Sequence, residues 1–208
     1  MKYIGIAAPC QQQLLSCRSY LHLSFPFIVC YTSPNFADRQ YLVVLISSNK
    51  MRIGVISDTH LNGVSTRLIE IYEEYFSDVD MIIHAGDLVS MEVADFLSQK
   101  PIHVVQGNMD TVEIRERFPQ KKVIEVSCFR LGLIHGWGSP FGIEKRIRSG
   151  FDDVHAIIYG HSHRQANHTD EGVLFFNPGT AMGFSVSGSN SVGILDVGER
   201  IEGTIIPL

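Results

Sequence analysis

Paired cysteines are the first thing this chain of 208 residues lacks: it has 4, and none forms a C-x-x-C pair. Three of them, Cys10, Cys17 and Cys30, fall in the first fifty residues, leaving Cys128 alone in the rest. Neither a disulfide framework nor a zinc knuckle is indicated, and a reducing cytoplasm is the expected setting. Excess positive charge is also missing. With 17 Lys and Arg against 22 Asp and Glu the net charge is -5, which argues against general nucleic-acid binding, because that affinity comes from many cations neutralising phosphates. No apolar run reaches the ~20 residues needed to cross a bilayer; Leu21 to Tyr31 and Tyr41 to Ser47 are short and interrupted. Gln11, Gln12 and Gln13 break the first apolar stretch and Pro26 splits the next, so neither export nor a membrane anchor is expected. There is no internal repeat and no low-complexity stretch. What is present, 45% hydrophobic residues, suffices for one substantial core.

The charge is unevenly spread. Residues 1 to 50 carry Lys2, Arg18, Arg39 and Lys50 against Asp38 alone, a local charge of +3 that leaves -8 for residues 51 to 208. The segment has no glutamate and no clear helical period, whereas Met51 opens a clean buried strand. Residues 1–50 are therefore expected to be an extension outside the working domain, from a start assigned upstream of Met51. The alternatives are a targeting extension or a strand added at a sheet edge. Residues 51–208 are expected to form one domain.

Arg52 to Ser57 is a short apolar run ending in a polar turn, as a strand buried on both faces reads. Ser65 or Thr66 can cap a helix through Phe76, with Leu68, Ile69, Tyr72 and Phe76 on the inner face and Glu70, Glu73 and Glu74 outside. Asp80 to His84, Met91 to Gln99 and Ile102 to Val105 repeat the pattern as strand, helix and strand. From Lys122 the pattern turns β-rich: Val123 to Val126 and Phe129 to Ile134 predict a hairpin, then a helix over Ile143 to Arg148. Strands over Ala156 to Tyr159, Val173 to Phe176, Ser191 to Val197 and Ile201 to Ile206 complete a half expected to be largely antiparallel. The fold class is α/β: a two-layered β-sheet sandwich with mixed sheets, flanked by α-helices.

Ligands in open α/β sheets bind beyond the carboxyl ends of strands. Those ends supply Asp58-Thr59-His60, Gly86-Asp87, Gly107-Asn108-Met109-Asp110, His135-Gly136 and Gly160-His161-Ser162-His163. Any one of these is an ordinary turn. Five in succession, bearing histidine, aspartate and asparagine, point to a metal site. The pair His161 and His163 is expected to bend at Gly160 and serve two neighbouring ions. Oxygen and imidazole donors without thiolate suit divalent ions, manganese first, with iron, zinc, nickel or cobalt as alternatives. Two ions ~3.5 to 4 Å apart need a shared anionic ligand, and Asp87, in the middle of the set, is the natural bridge.

With these five motifs the sequence resembles the calcineurin-like metallophosphoesterases over the whole of residues 51–208. Its small size and the turn Asn177-Pro178-Gly179-Thr180 make it most similar to the compact YfcE-like phosphodiesterases. The resemblance implies one divalent ion held by Asp58, His60, Asp87 and His163, and a second by Asp87, Asn108, His135 and His161. Asp87, Asn108 and His135 would bear most directly on the reaction. It further implies in-line attack on a small phosphodiester by a hydroxide bridging the ions, without a covalent protein intermediate.

Larger relatives carry histidine after the Gly-Asn pair, placed to protonate the leaving group; here that residue is Met109, which cannot donate a proton. Either water or another group such as Asp110 does so, or the substrate's leaving group departs without much help. His84 reads as a supporting or packing residue, because the ligand set is full. Arg164 is read as a surface arginine or a phosphate contact, and Trp137 and Phe141 as pocket lining or packing. The expected partner is a small-molecule phosphoester, with a homo-oligomer left open. Rival functions are a phosphomonoesterase and a non-catalytic scaffold resembling the phosphoesterase-like subunit of the eukaryotic retromer. The intact Asn108, His135, His161 and His163 weigh against the scaffold.

Overall fold

The computed structural model describes residues 20–22, 27–31, 41–45 and 50–208. Most of the first fifty residues, including Gln11 to Gln13 and Pro26, lie outside the described residues. The chain divides into two units, Met1–Lys50 with Gly198–Arg200, and Met51–Val197 with Ile201–Leu208. In the first, β1 (Tyr20–His22), β2 (Phe27–Tyr31) and β3 (Tyr41–Leu45) pair antiparallel into their own sheet.

The second unit holds two five-stranded sheets. One has the order β13 (Ile201–Pro207), β12 (Ser191–Val197), β4 (Met51–Ile56), β5 (Met81–His84), β6 (Ile102–Val104). Strands β4, β5 and β6 run parallel, and β12 and β13 add antiparallel at one side. The other has the order β10 (Ala166–Asp170), β11 (Val173–Asn177), β9 (Ala156–Ile158), β8 (Phe129–Ile134), β7 (Lys121–Val126). The hairpin β7–β8 and the edge pair β10–β11 are antiparallel, but the three central strands β8, β9 and β11 run parallel. The expected largely antiparallel half therefore holds for β7–β8, β10–β11 and β12–β13 but not for β8, β9 and β11. Helix α4 (Ile143–Arg148) carries the chain from β8 across to β9 as a crossover, and parallel pairing follows from that.

Alternation along the strands builds the layers. Ile53, Val55 and Ile83 of one sheet meet Leu131, Leu133, Ala156, Ile158 and Phe176 of the other in the central core. The intervening Ile56 and Ile82 point outward to α1 (Thr66–Ile71) and α2 (Met91–Leu97), through Leu68, Ile71, Val93 and Leu97. On the far side Ile134, Ile157 and Tyr159 cover α4 through Ile143 and Ile147. Each fully buried aliphatic side chain contributes roughly 1.5–3 kcal/mol, so the framework under the strand ends is firm. Ser65 caps α1, its hydroxyl accepting from Leu68 N at 3.2 Å, and the helix widens into a π-turn over Tyr72–Phe76.

Two elements were not expected. Helix α3 (Val112–Arg117) buries only Ile114, so it has no apolar period to find. Strand β10 (ANHTD) is polar and almost wholly exposed, and it is held by pairing to β11 rather than by burial.

Candidate metal centre

The parallel strands of both sheets end at one rim. There β4 delivers Asp58 and His60, β5 delivers Asp87, β6 delivers Asn108, β8 delivers His135, and β9 delivers His161 and His163. Backbone conformation aims these side chains. Asp58, His60, Asp87, His161 and His163 all have left-handed φ, between 49° and 65°. This region is sparse for residues other than glycine and costs about 1 kcal/mol or more each. An extended chain would send His161 and His163 to one face; the left-handed turns after Gly160 send them apart.

His163 Nε2 lies 3.2 Å from Asp58 Oδ1 and 3.3 Å from His60 Nε2, and His60 Nε2 lies 3.8 Å from the same oxygen. Asp87 Oδ2 lies 3.3 Å from His135 Nε2 and 3.9 Å from His60 Nε2, while Asp58 Oδ1 lies 3.9 Å from His135 Nε2. Two groups, Asp58 with His60 and His163, and Asp58 with Asp87 and His135, therefore hold ligand atoms within 4.8 Å of one another. Asn108 Oδ1 and His161 Nδ1 face each other at 2.8 Å. All seven sequence-derived residues are at the rim. Asp87 lies between His60 and His135, and Asp58 joins both groups as well, a central place the sequence reading gave to Asp87 alone.

Carbonyl oxygens fix the histidine tautomers, since they can only accept. Nδ1 of His135 donates to Ala85 O at 2.7 Å, and Nδ1 of His163 to Phe184 O at 2.9 Å. Nε2 of His161 donates to Gly138 O at 2.7 Å. In each case the other ring nitrogen keeps its lone pair and faces the centre.

Charge there is uncompensated. Asp58 and Asp87 are buried, and while the facing ring nitrogens are unprotonated Asp58 Oδ1 and His135 Nε2 are buried polar atoms without a hydrogen-bond partner. Each such orphan costs about 1–3 kcal/mol. Without a cation, protons on histidine fill the role. Burial opposes charging His135, but the hydrogen bond and charge of Asp87, with Asp58, outweigh it and raise its pKa. The hydrogen bond to Asp58 likewise raises that of His163 against burial. Burial pushes Asp87 up, and the hydrogen bonds from His135 and Met109 N–H overcome it, holding its carboxyl below the usual range. Lone pairs, buried carboxylates and orphaned atoms converging on one place fit divalent cations.

A supporting layer holds the turns. His84 accepts from Gly86 N at Nδ1, 3.2 Å, so its Nε2 donates to Thr59 Oγ1 at 3.1 Å. Burial pushes its pKa down to about 3, so it stays neutral as a brace. Ser57 Oγ donates to Asp58 Oδ2 at 2.5 Å. Thr180 Oγ1 donates to Asp58 O at 2.9 Å, and Asn177 Nδ2 to Gly160 O at 3.0 Å, so the later turn buttresses the first. Gly160 and Gly107 are required by close approach: a Cβ on Gly160 would fall on Ser57 Oγ, and one on Gly107 on Asp87 Oδ1.

Asp110 is not placed as a proton donor. Its Oδ1 accepts from Val89 N and its Oδ2 from Gly107 N, each at 2.7 Å, tying the Asp87 turn to the Asn108 turn. Met109 is 59% exposed at the rim. Trp137 and Phe141 are exposed rather than packed, and Arg164 lies over the Phe141 ring at 6.0 Å. Arg115 and Arg146 were missed by sequence reasoning. Arg115 Nη2 donates to Asn108 O at 2.6 Å, and Arg146 donates to the carbonyls of Trp137, Ser139 and Phe141. Their targets are backbone oxygens, which carry no residue-specific sequence signal.

Fold and rim together define a candidate metal centre of aspartate, asparagine and histidine at the ends of parallel strands. The sequence model of the calcineurin-like phosphoesterase superfamily domain matches residues 51–200, and the chain belongs to that family. A probable metallophosphoesterase of Methanothermobacter thermautotrophicus is 34% identical over 159 residues, 75% of this chain and 92% of the relative. A solved structure described as a novel archaeal phosphodiesterase aligns with TM-score 0.60 and 28% identity, covering 76% of this chain and all of that one. Vps29 of Entamoeba histolytica, solved in complex with zinc, shares the fold with TM-score 0.58 and 23% identity, covering 76% of this chain and 99% of that one. No helix among the described residues is long and apolar enough to cross a membrane.

Proposed function

We propose that this chain is a cytoplasmic, metal-dependent phosphodiesterase that hydrolyses small phosphodiesters at a pair of divalent ions, with manganese the expected metal. The observation that carries the reading is the orphaned pair Asp58 Oδ1 and His135 Nε2, buried beside Asp87 and facing three further histidine nitrogens and an amide oxygen. Likeness to a phosphodiesterase structure supports diester over monoester chemistry.

Bound here, divalent cations would acidify a water to a nucleophile at neutral pH and neutralise the phosphoryl oxygens. His60, Asp58 and His163 would hold one ion, Asn108, His135 and His161 the other, with Asp87 between. The residues do the rest. Ala85, Gly138 and Phe184 carbonyls hold the histidine rings in the ligating tautomer. Met109 N–H fixes Asp87 Oδ1, so Oδ2 stays turned to the centre. Ser57 and Thr59 hydroxyls are buried and engaged with Asp58 and His84, so neither serves as a covalent nucleophile.

Metal analysis of purified protein, coupled to a panel of mono- and diesters with manganese, iron, zinc, nickel or cobalt, tests the reading. Two ions per chain and faster diester than monoester turnover are expected. Faster monoester turnover would make it a phosphomonoesterase; two bound ions with no turnover of any ester would leave a scaffold.

A further inference from the structure

A cleft of about 710 Å³ opens beside the centre on the side of Asn108 and His135. Its walls also include Gln106, Arg115, Lys121 and Trp137. Two features set it apart. Arg115 donates to the Asn108 carbonyl at 2.6 Å and Lys121 Nζ to the Gly150 carbonyl at 2.8 Å, both neutral acceptors. The ion pairs of arginine with carboxylates include Arg52–Asp78, Arg67–Glu70 and Arg130–Asp153, and among the described residues neither Arg115 nor Lys121 takes part in one. Two positive charges without a carboxylate partner, Lys121 also lying over the Phe151 ring at 5.7 Å, mark a place for an anion in a domain of net charge -8.

Trp137, also in the wall, stands 49% exposed. Its loop is not slack: Arg146 Nη2 donates to Trp137 O at 3.0 Å, and Gly138 O takes the hydrogen bond from His161. Arg115 is equally placed by its surroundings. Gln106 Nε2, just beyond β6, donates to Arg115 O at 3.0 Å and Phe118 O at 2.7 Å, pinning α3 against the strand end. An aromatic ring on an anchored backbone, a guanidinium and an ammonium thus line a space that begins at two residues of the metal centre.

A plain phosphodiester bears one negative charge, and the ions would meet it. Arg115 and Lys121 would have nothing further to neutralise on such a molecule. We infer that the cleft receives the uncleaved arm of the substrate, and that this arm carries an aromatic ring, stacked on Trp137, and a second anionic group, held by Arg115 and Lys121. This deepens the phosphodiesterase reading and rests on it for what is cleaved. The substrate class is a diester with a ring and an added carboxylate or phosphate on one side, the chemistry of a nucleotide-like arm.

The test uses methyl phenylphosphonate and methyl 4-carboxyphenylphosphonate, cleavage-resistant diester mimics differing only in the carboxylate. Trp137 is the single tryptophan of the chain, so its fluorescence reports the cleft directly. With metal-loaded full chain at low salt, the carboxylated probe should bind about tenfold more tightly and perturb that fluorescence. Lys121→Gln and Arg115→Gln should each shrink the preference severalfold and together abolish it, with metal content unchanged in Lys121→Gln. Equal affinities in the parent protein, a preference surviving the double variant, or calorimetric binding that leaves the fluorescence untouched would overturn the inference. Turnover of aryl diesters on the same samples separates the two readings: turnover without the preference removes the subsite alone, and the preference without turnover removes the reaction while the subsite stands.

Discussion

The Met109 backbone N–H donates to Asp87 Oδ1 at 2.7 Å, while Asp87 Oδ2 faces His135 Nε2 at 3.3 Å. One carboxylate is thus split between a structural oxygen and a ligating one. Asp87→Asn can keep the first contact and loses the charge that serves the second. Metal stoichiometry and turnover should both collapse in this variant, turnover by at least about 100-fold. The fold should stay largely intact, but metal-free protein should melt at a lower temperature, because the change leaves the His135 charge that Asp87 attracts without its partner. Two retained ions with near-normal turnover would remove Asp87 from the centre.

Met109, standing where larger relatives carry histidine, has no proton to give the leaving oxygen, and the neighbouring Asp110 is engaged by backbone N–H groups. General acid help is typically worth 10² to 10⁴-fold. Aryl diesters should therefore be cleaved fast and simple alkyl diesters slowly, with Met109→His partly rescuing the slow class. Turnover across diesters differing only in leaving-group pKa checks this. A flat dependence, with chemistry shown to be rate-limiting, would reveal an acid that the geometry does not.

Asp110 offers a contrasting expectation. Because both its oxygens accept backbone N–H bonds, Asp110→Ala should lower stability by about 1–3 kcal/mol and loosen metal binding. The slope of rate against leaving-group pKa should not move. A steeper slope in the variant would show that Asp110 had been giving a proton after all.

Acidity acts differently with and without metal. In metal-free protein the raised pKa values of His135 and His163 add stability that is fully present below about pH 6.5 and lost as pH rises through their folded values. His84 works from the other side. Held at about 3 by burial, it refuses the proton that the unfolded chain accepts below about pH 6.5, so stability falls with acid by about 1.4 kcal/mol per pH unit. Metal-free melting temperature should peak near pH 6.5. Metal affinity should instead climb with pH through the neutral range, since each ion displaces the protons on His135 and His163. Calorimetric melts from pH 4 to 9, with and without manganese, check both; identical profiles would contradict the histidine assignments.

Removal of residues 1 to 50 is expected to leave the metallophosphoesterase domain working. The family match begins at Met51, and the sign of the charge reverses there. A protein starting at Met51 should keep its melting temperature within a few degrees and its turnover within about twofold. Insolubility or a larger loss would show that the removed segment stabilises the domain.

Much of the centre was readable because strand ends announce themselves. Runs such as Arg52 to Ser57 stop at polar turns, and the residues after each stop are those now at the rim. Helix α4 was found residue for residue because Ile143 and Ile147 give it a helical period. The direction of β9 and β11 was not readable, since strand composition does not state which neighbour a strand will join. Nor were the clamps of Arg115 and Arg146 readable, being contacts from a side chain to backbone carbonyls, which any residue offers. The central position of Asp58 needed coordinates too: only its Oδ1 distances, not its place in the sequence, put it beside both groups.

The left-handed backbone at Asp58, His60, Asp87, His161 and His163 sets the domain against itself. Glycine or asparagine would relax every one of those turns, and a neutral side chain would spare the interior its crowded charge. A population of variants selected for heat resistance alone would thus drift away from its own ligands first, so that the thermally optimal descendant of this protein is an inert one.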